Sequence, residues 1–331
     1  ARIEGSKAFA KNLMKKYGLP SAGYEVFSDY EAAADYVRRK GGPLVVKADG
    51  LAAGKGVLLC HTTEEALKSL DMIMKTRAFG SAGDKVVVEE FLTGEEASIL
   101  VFTDGKSIKP LPSSQDHKAI YDGDRGPNTG GMGAYSPAPV ITPRLEQEIM
   151  ETVMRPAVEA MNAEGCPYKG VLYAGLMIDP SGSPQVLEFN ARFGDPECQP
   201  LVLRLKSDLL DILEAIVEDR LEEVEVEWDD RASLCLVMAS GGYPGSYEKG
   251  RFIDGLDKVE AMEDVVVFHA GTAQKEGRIV TNGGRVLGVT AIGENVAQAI
   301  EKAYAAAEKI SWDGAYYRRD IGRKALDRER G

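Results

Sequence analysis

The segment Val45-Val46-Lys47-Ala48-Asp49-Gly50-Leu51-Ala52-Ala53-Gly54-Lys55-Gly56-Val57 constrains the fold more than any other stretch of the chain. A lysine-bearing apolar strand runs into a glycine-rich loop that carries a second lysine, and apolar residues return from Val57 to Cys60. This is a hairpin, and a hairpin commits its strands to an antiparallel sheet. Its glycines let backbone N–H groups approach phosphate oxygens closely, and its two ammonium groups neutralise several negative charges. A P-loop would place glycine where Asp49 stands and Ser or Thr after Lys55, where the residue is Gly56. The hairpin is therefore no Walker A motif. Its competing reading is an ordinary glycine hairpin with solvated lysines.

The flanking segments build an α+β lobe around it. Residues 6–17 have helical spacing behind a Ser6 cap and stop at Gly18 and Pro20, and Asp29–Lys40 is an Ala-rich helix broken by Gly41-Gly42-Pro43. A helix over Thr63–Met74 and a strand over Lys85–Phe91 complete helices packed on an antiparallel sheet. From about residue 95 a second block follows, with strands at Ala97–Phe102 and Ser107–Pro110. The stretch Ser113–Ala138 shows no period, and a structureless loop of that length is more often functional than idle. A helix opens at Thr142-Pro143 with proline in the favoured first turn, and Pro156 predicts a kink in it. Val171–Ile178 and Gln185–Asn190 form a hairpin, and Asp208–Leu221 is amphipathic. The acidic run Glu222–Asp230 marks a boundary, beyond which short strands and a closing helix over Asn295–Ile310 read as a small β-rich domain.

Charge narrows the function classes. Forty Lys and Arg against 52 Asp and Glu leave a net charge of −12 over 331 residues, which disfavours a nucleic-acid partner or an anionic membrane surface. Four dispersed cysteines without a C-x-x-C pair read as reduced thiols, and three scattered histidines are too few for a zinc site. Any metal is then a hard ion held by oxygen. No apolar run approaches the roughly 18 residues of a membrane span, and the start is no signal peptide. The expected compartment is the cytoplasm.

Three further segments carry chemistry. In Val86–Ser98 one strand ends and another begins, so backbone groups near Glu89 and Leu92 can pair with an adenine edge while Glu96 accepts from ribose hydroxyls; a solvated acidic turn is the plainer reading. In Val186-Leu187-Glu188-Phe189-Asn190-Ala191-Arg192, strand alternation puts Glu188 and Asn190 on one face, with Leu187 and Phe189 turned into the core. Two oxygen ligands aimed one way suit Mg²⁺, which completes its shell with water and nucleotide phosphate. Arg192 continues that face and can clamp a phosphoryl group through two parallel bonds. The loop from Ser113 to Gly133 offers acids, bases and glycine amides, as a site for a zwitterionic or phosphorylated substrate would, and His117 within it reads as structural.

Together the segments Gly5–Phe9, Val45–Val57, Val88–Ser98, Ser113–Lys118, Asp124–Pro137 and Leu187–Glu197 resemble the phosphoribosylamine-glycine ligase family of the ATP-grasp superfamily. The tail segments Ala239–Gly245, His269–Thr272 and Gly283–Leu287 resemble the C-terminal domain of that family. The resemblance implies an α+β ATP-grasp fold, two lobes clamping ATP, over residues 1–230, with a hairpin lobe at about 22–92. It implies a small β-rich domain over 231–331. It also implies ATP- and Mg²⁺-dependent joining of glycine to 5-phosphoribosylamine through glycyl phosphate, in purine synthesis, with Mn²⁺ as an alternative ion. By matched position Lys7, Lys47, Gly54, Lys55 and Gly56 hold phosphates, with Lys47, Lys55 and Arg192 acting on the transferred group. Glu89, Leu92 and Glu96 hold the nucleoside, and Glu188 and Asn190 the metal. Asp116, Lys118, Arg125, Asn128, Thr129, Asp195 and Glu197 are the candidates for glycine and phosphoribosylamine. Members of this family begin with a further domain that helps form the substrate site, and the present chain resembles the portion C-terminal to that domain. A nucleotide-binding fragment that needs that N-terminal piece, and another ATP-grasp carboxylate-amine ligase, are the readings that remain beside the first.

Overall fold

The computed structural model describes residues 1–51 and 56–330. The chain forms two compact units that interleave along the sequence. The first comprises Ala1–Pro110, Thr142–Arg192 and Ala215–Glu222; the second comprises Leu111–Ile141, Phe193–Glu214 and the chain from Glu223 onward. The last passage into the second unit falls inside the acidic run.

In the first unit the helix Lys7–Tyr17 starts where Ser6 accepts a hydrogen bond from the Phe9 N–H, and it ends at Gly18 in the left-handed region. The strands Tyr24–Phe27, Val86–Glu90, Leu44–Ala48 and Val57–Cys60 lie in that order as an antiparallel sheet. Val46, Ala48, Val86 and Val88 pack with Ala33 and Val37 of the helix Tyr30–Lys40 and with Leu70 and Ile73. The lysine hairpin is thus anchored on a dry core. A second antiparallel sheet has the order Pro184–Asn190, Gly170–Ile178, Glu95–Thr103, Ile108–Pro110. The segment Glu89–Glu96, where one strand was expected to end and another to begin, joins two sheets of one unit.

The helix expected to kink at Pro156 does so through a π-helical turn. The helix Pro143–Ile149 passes into π-helix Met150–Met154 and resumes as Arg155–Ala163, with Pro156 in the first turn of the resumed segment. The proline lacks the N–H that an α-helix would use there, and the wider turn absorbs the mismatch.

In the second unit an antiparallel sheet runs Val265–His269, Arg285–Gly293, Ala232–Ser240, Gly133–Ser136, Gln115–Asp116, and Ala315–Tyr316 also pairs with Ala232–Ser240. The helix Val296–Ala307, capped by the Asn295 side chain, packs on its two longest strands. Ser113–Ala138 is not the structureless loop that its missing period suggested. It holds Gln115–Asp116, Gly133–Ser136 and the hairpin Ala119–Tyr121 with Arg125–Asn128. Strands of two to four residues are too short to show an alternation. Gly133 allows a close approach between strands, since a Cβ there would lie 2.7 Å from the Cys235 carbonyl oxygen.

Candidate functional site

The residues expected to handle nucleotide and metal fall in the first unit, and several of them meet. Lys47 is buried and its ammonium lies 2.8 Å from Glu89 Oε1. It also donates to the Leu187 carbonyl at 3.0 Å. Leu187 can accept because the ladder slips at this point: Gly175 faces Glu188 and Leu176 faces Val186, leaving Leu187 as the extra residue of a β-bulge. The bulge corrects the simple alternation. Val186 and Phe189 are buried while Leu187 is only half-buried, yet Glu188 and Asn190 still share a face.

Lys7 donates to the Gly50 carbonyl at 3.0 Å. Burial pushes its pKa down, opposed chiefly by the Glu188 carboxylate and helped by the Lys47 charge. Lys7, Lys47 and Glu188 are thereby one electrostatic group. Asp49 closes this end of the helix, its carboxylate accepting from the Ser6 hydroxyl and from the Ala8 N–H.

Glu89 lies inside the sheet, opposite Tyr24 on one side and Val45 on the other, so what it offers is its carboxylate rather than the free backbone edge expected of it. Leu92 follows the strand end half-buried, and Glu96 faces Met177 across the second sheet. Arg192 does continue the Asn190 side, donating to Asn190 Oδ1 at 3.3 Å, but its Nε is held 2.9 Å from Glu4 Oε1. Glu4 also accepts from the Ala191 N–H at 2.9 Å. Gly56 is described and buried; Gly54 and Lys55 lie outside the described residues.

The residues expected to handle substrate fall in the second unit. Thr129 folds the loop back on Lys118, its N–H and its hydroxyl both donating to the Lys118 carbonyl at 2.8 Å. Arg285 then gathers the next residues. Its guanidinium donates to the carbonyls of Gly130 and Asp195 and meets Asp195 Oδ2 at 2.7 Å. Gly131 closes the cluster, since a Cβ there would come within 2.3 Å of Pro196 Cδ and 2.8 Å of Asp116 Oδ1. Asp116, Thr129 and Asp195 are thus brought together around two glycines, and Glu197 is buried beyond them. Arg125 and Asn128 stand apart on an exposed hairpin, where Arg125 faces Tyr121 and Asn128 faces Ala119.

That hairpin is pinned from the far end of the chain. Arg318 is buried and donates to the Ala119 carbonyl and to Asp124, while Asp320 accepts from the Gly123 N–H at 2.8 Å. His117 sits beneath, with its Nδ1 3.3 Å from the Gly133 carbonyl oxygen and its Nε2 accepting from the Gly322 N–H at 3.4 Å. Burial, then the charges of Arg318 and Lys324, lower its pKa to about 4. A neutral, fully partnered imidazole is structural, as its sequence context suggested.

Comparison with known proteins places this geometry. Residues 5–198 match the model of the phosphoribosylglycinamide synthetase ATP-grasp (A) domain, and residues 233–324 match the C domain of the same synthetase. The phosphoribosylamine-glycine ligase of Vibrio parahaemolyticus is 54% identical over 99% of this chain and 76% of its own length. That of Allochromatium vinosum is 56% identical over 100% of this chain and 77% of its own. The chain belongs to the phosphoribosylamine-glycine ligase family. The crystal structure of the Thermotoga maritima ligase superposes with a TM-score of 0.85 at 38% identity, over 97% of this chain and 79% of that one. A biotin carboxylase from Campylobacter jejuni, 14% identical with a TM-score of 0.72, shares the fold alone.

The ligase family fixes the fold class as ATP-grasp and the chain as a ligase. Among the described residues no helix is long and apolar enough to cross a membrane. Reading the sequence for ligase-type residues missed Glu4, Lys11, Arg285 and Arg318. Glu4 and Lys11 carried a weak signal, lying on either side of the helix cap at Ser6 that the sequence did show. Arg285 and Arg318 carried no local signal of their contacts with the 113–138 segment, because Gly130 and Ala119 lie more than 150 residues away.

Proposed function

We propose that this ligase joins glycine to 5-phosphoribosylamine at the expense of ATP. The observation that carries the reading is the meeting of Lys7, Lys47 and Glu89 with the Glu188 strand in one unit. Two ammonium groups, Lys47 on the Glu89 carboxylate and Lys7 under the influence of Glu188, next to an acid and an amide on one strand face, suit a triphosphate and its metal.

In the first step a glycine carboxylate oxygen bonds to the γ-phosphorus while the bond from that phosphorus to the ADP oxygen breaks, giving glycyl phosphate and ADP. In the second, the amine nitrogen of phosphoribosylamine bonds to the acyl carbon, the carbon–oxygen bond to phosphate breaks, and the amine gives up a proton. No covalent enzyme intermediate forms, so positioning and charge neutralisation supply the rate. We assign phosphate contacts to Lys7, Lys47, Gly54, Lys55 and Gly56, the transferred phosphoryl to Arg192, and the nucleoside to Leu92 and Glu96, the buried Glu89 carboxylate being held by lysine instead. To reach a phosphoryl group Arg192 exchanges its partner Glu4 for it, a change that its 57% exposed side chain permits.

Glu188 and Asn190 fit a hard divalent ion, since both are oxygen donors on one half-buried face, and the facing strand offers glycine at Gly175 rather than a second acid. Among the described residues no group of three or more His, Cys, Asp or Glu stands ready for a metal, so the nucleotide supplies the remaining ligands. When bound, Mg²⁺ neutralises phosphate charge, and the same oxygen set accepts Mn²⁺. We assign glycine and phosphoribosylamine to Asp116, Lys118, Arg125, Asn128, Thr129, Asp195 and Glu197. The matched segments 5–198 and 233–324 support a division into an ATP-grasp part at 1–230 and a C-terminal part at 231–331.

The test is ADP release that requires both glycine and phosphoribosylamine. Because the chain spans about three quarters of its relatives, the assay is run on the chain alone and with the unmatched part of a relative added. Release in neither arm, or release with other amino acids preferred to glycine, would refute the reading.

A further inference from the structure

Lys11 was no part of the expected site, yet it is among the most buried side chains of the chain, at 2% exposure. It lies one helical turn after Lys7 on the same helix, Lys7–Tyr17. Its ammonium is 2.9 Å from Glu89 Oε2, while Lys47 holds Glu89 Oε1 at 2.8 Å. One buried carboxylate therefore serves two buried ammonium groups. The Tyr24 ring also lies beside the Lys11 ammonium, its centre 5.9 Å away, and brings no charge.

The charges of this trio sum to +1, and the surplus decides what Lys47 can do. With Lys11 in place, Lys47 shares Glu89 with a second ammonium and one positive charge of the trio is left over. Without it, Lys47 and Glu89 close into a neutral pair. A buried pair of that kind holds its geometry tightly, because separating it leaves both charges unmatched. We propose that Lys11 is a positioning residue for the nucleotide site: by occupying one oxygen of Glu89 it frees the charge of Lys47 for the phosphates of ATP. The inference rests on the reading of Lys47 as a phosphate ligand. Burial lowers the Lys11 pKa, and the Lys47 charge lowers it further against the pull of Glu89.

The experiment measures binding of MgATP and of adenosine by calorimetry to the wild-type chain and to Lys11→Met, Lys11→Gln and Lys11→Arg. Removing one unit charge within about 10 Å of a phosphate, at the effective dielectric of a protein site, weakens binding roughly tenfold. Lys11→Met and Lys11→Gln are expected to bind MgATP about tenfold more weakly and adenosine as the wild type does, and Lys11→Arg to restore MgATP. Thermal melts identify which variants are folded, and Gln keeps a hydrogen bond to Glu89 should Met not be tolerated. A folded neutral variant that binds MgATP within twofold of wild type overturns the proposal. So does an equal loss for adenosine, which would show a merely structural role. A wild-type chain that fails to bind MgATP at all refutes the assignment of Lys47 instead.

Discussion

Lys11 in the first unit and Arg318 in the second are both buried cations, and their surroundings treat them in opposite ways. Arg318 commits its whole fork. Its Nε and Nη2 donate to the two oxygens of Asp320 at 2.8 and 2.7 Å, and its Nη1 donates to the Ala119 carbonyl and to Asp124, each at 3.0 Å. Lys11 has one carboxylate, and shares it. A guanidinium presents five donors in a fixed plane and can be matched completely, whereas ammonium groups crowded on one carboxylate leave charge over. The first arrangement is scaffold, built to stay as it is. The second is built to receive an anion.

The largest expected effect tests the scaffold half. Arg318→Met leaves Asp320 without its cation, while Asp124 keeps Lys324 at 2.6 Å, and should cost about 3–5 kcal/mol of stability in urea unfolding, the usual penalty for breaking a buried pair from one side. Measured where the variant is still folded, its MgATP affinity should equal that of wild type. A cost below about 1 kcal/mol would make Arg318 no more structural than a surface ion pair, and the contrast with Lys11 would collapse.

Acid probes the same scaffold from beneath. His117 is neutral in the folded protein with a pKa of about 4, below the ordinary value of 6.5. The unfolded chain therefore binds a proton that the folded one refuses between those values, and stability falls as pH drops through that window. The full difference is about 3 kcal/mol, at about 1.4 kcal/mol per unit. Burial alone would raise the pKa values of Asp124 and Asp320, but hydrogen bonds from Lys324 and Arg318 hold both below 3.8, so their loss begins only at lower pH. His117→Gln should flatten the decline between pH 6.5 and 4. An unchanged slope would place the acid-labile group elsewhere.

How much of this the sequence disclosed depends on the range over which each feature is built. The helix cap at Ser6, the lysine hairpin, the Ala-rich helix ending at Lys40 and the paired strands ending at Ile178 and Asn190 are local, and each was legible from residues within one or two turns. The Glu188 and Asn190 pair was legible for the same reason. The bulge at Leu187 was not, because it exists only in the register with Gly175 and Leu176. The strands inside Ser113–Ala138 were hidden by their shortness, and their order in the sheet is set by Ala232–Ser240, about a hundred residues later. The contacts of Arg285 with Asp195 and of Arg318 with Ala119 span 90 and 199 positions and leave no periodic trace.

The receptive half is tested by removing the charge that it exists to offer. Lys47→Met leaves Lys11 and Glu89 as a matched pair, so stability should change little. Loss of a buried, charge-assisted phosphate contact should weaken MgATP about 100-fold, about 2.7 kcal/mol by the usual conversion. If calorimetry instead shows full affinity with lowered stability, the lysine trio is scaffold like Arg318.

The smallest effect separates the metal from the lysines. Glu188 opposes the burial that lowers the Lys7 pKa, so the acid we assign to the metal also stabilises that ammonium. Glu188→Ala removes the oxygen and one negative charge together. MgATP should bind about tenfold more weakly, about 1.4 kcal/mol, because Asn190 remains as the single protein ligand on that face. Metal-free ATP, measured in EDTA, should bind as well as to wild type or a few-fold tighter, because the cluster around Lys7 and Lys47 is now more positive. The two ligands therefore move in opposite directions, which neither misfolding nor a general loosening of the site would produce. Equal losses for both would remove Glu188 from the metal and return it to the lysines as a simple counter-charge.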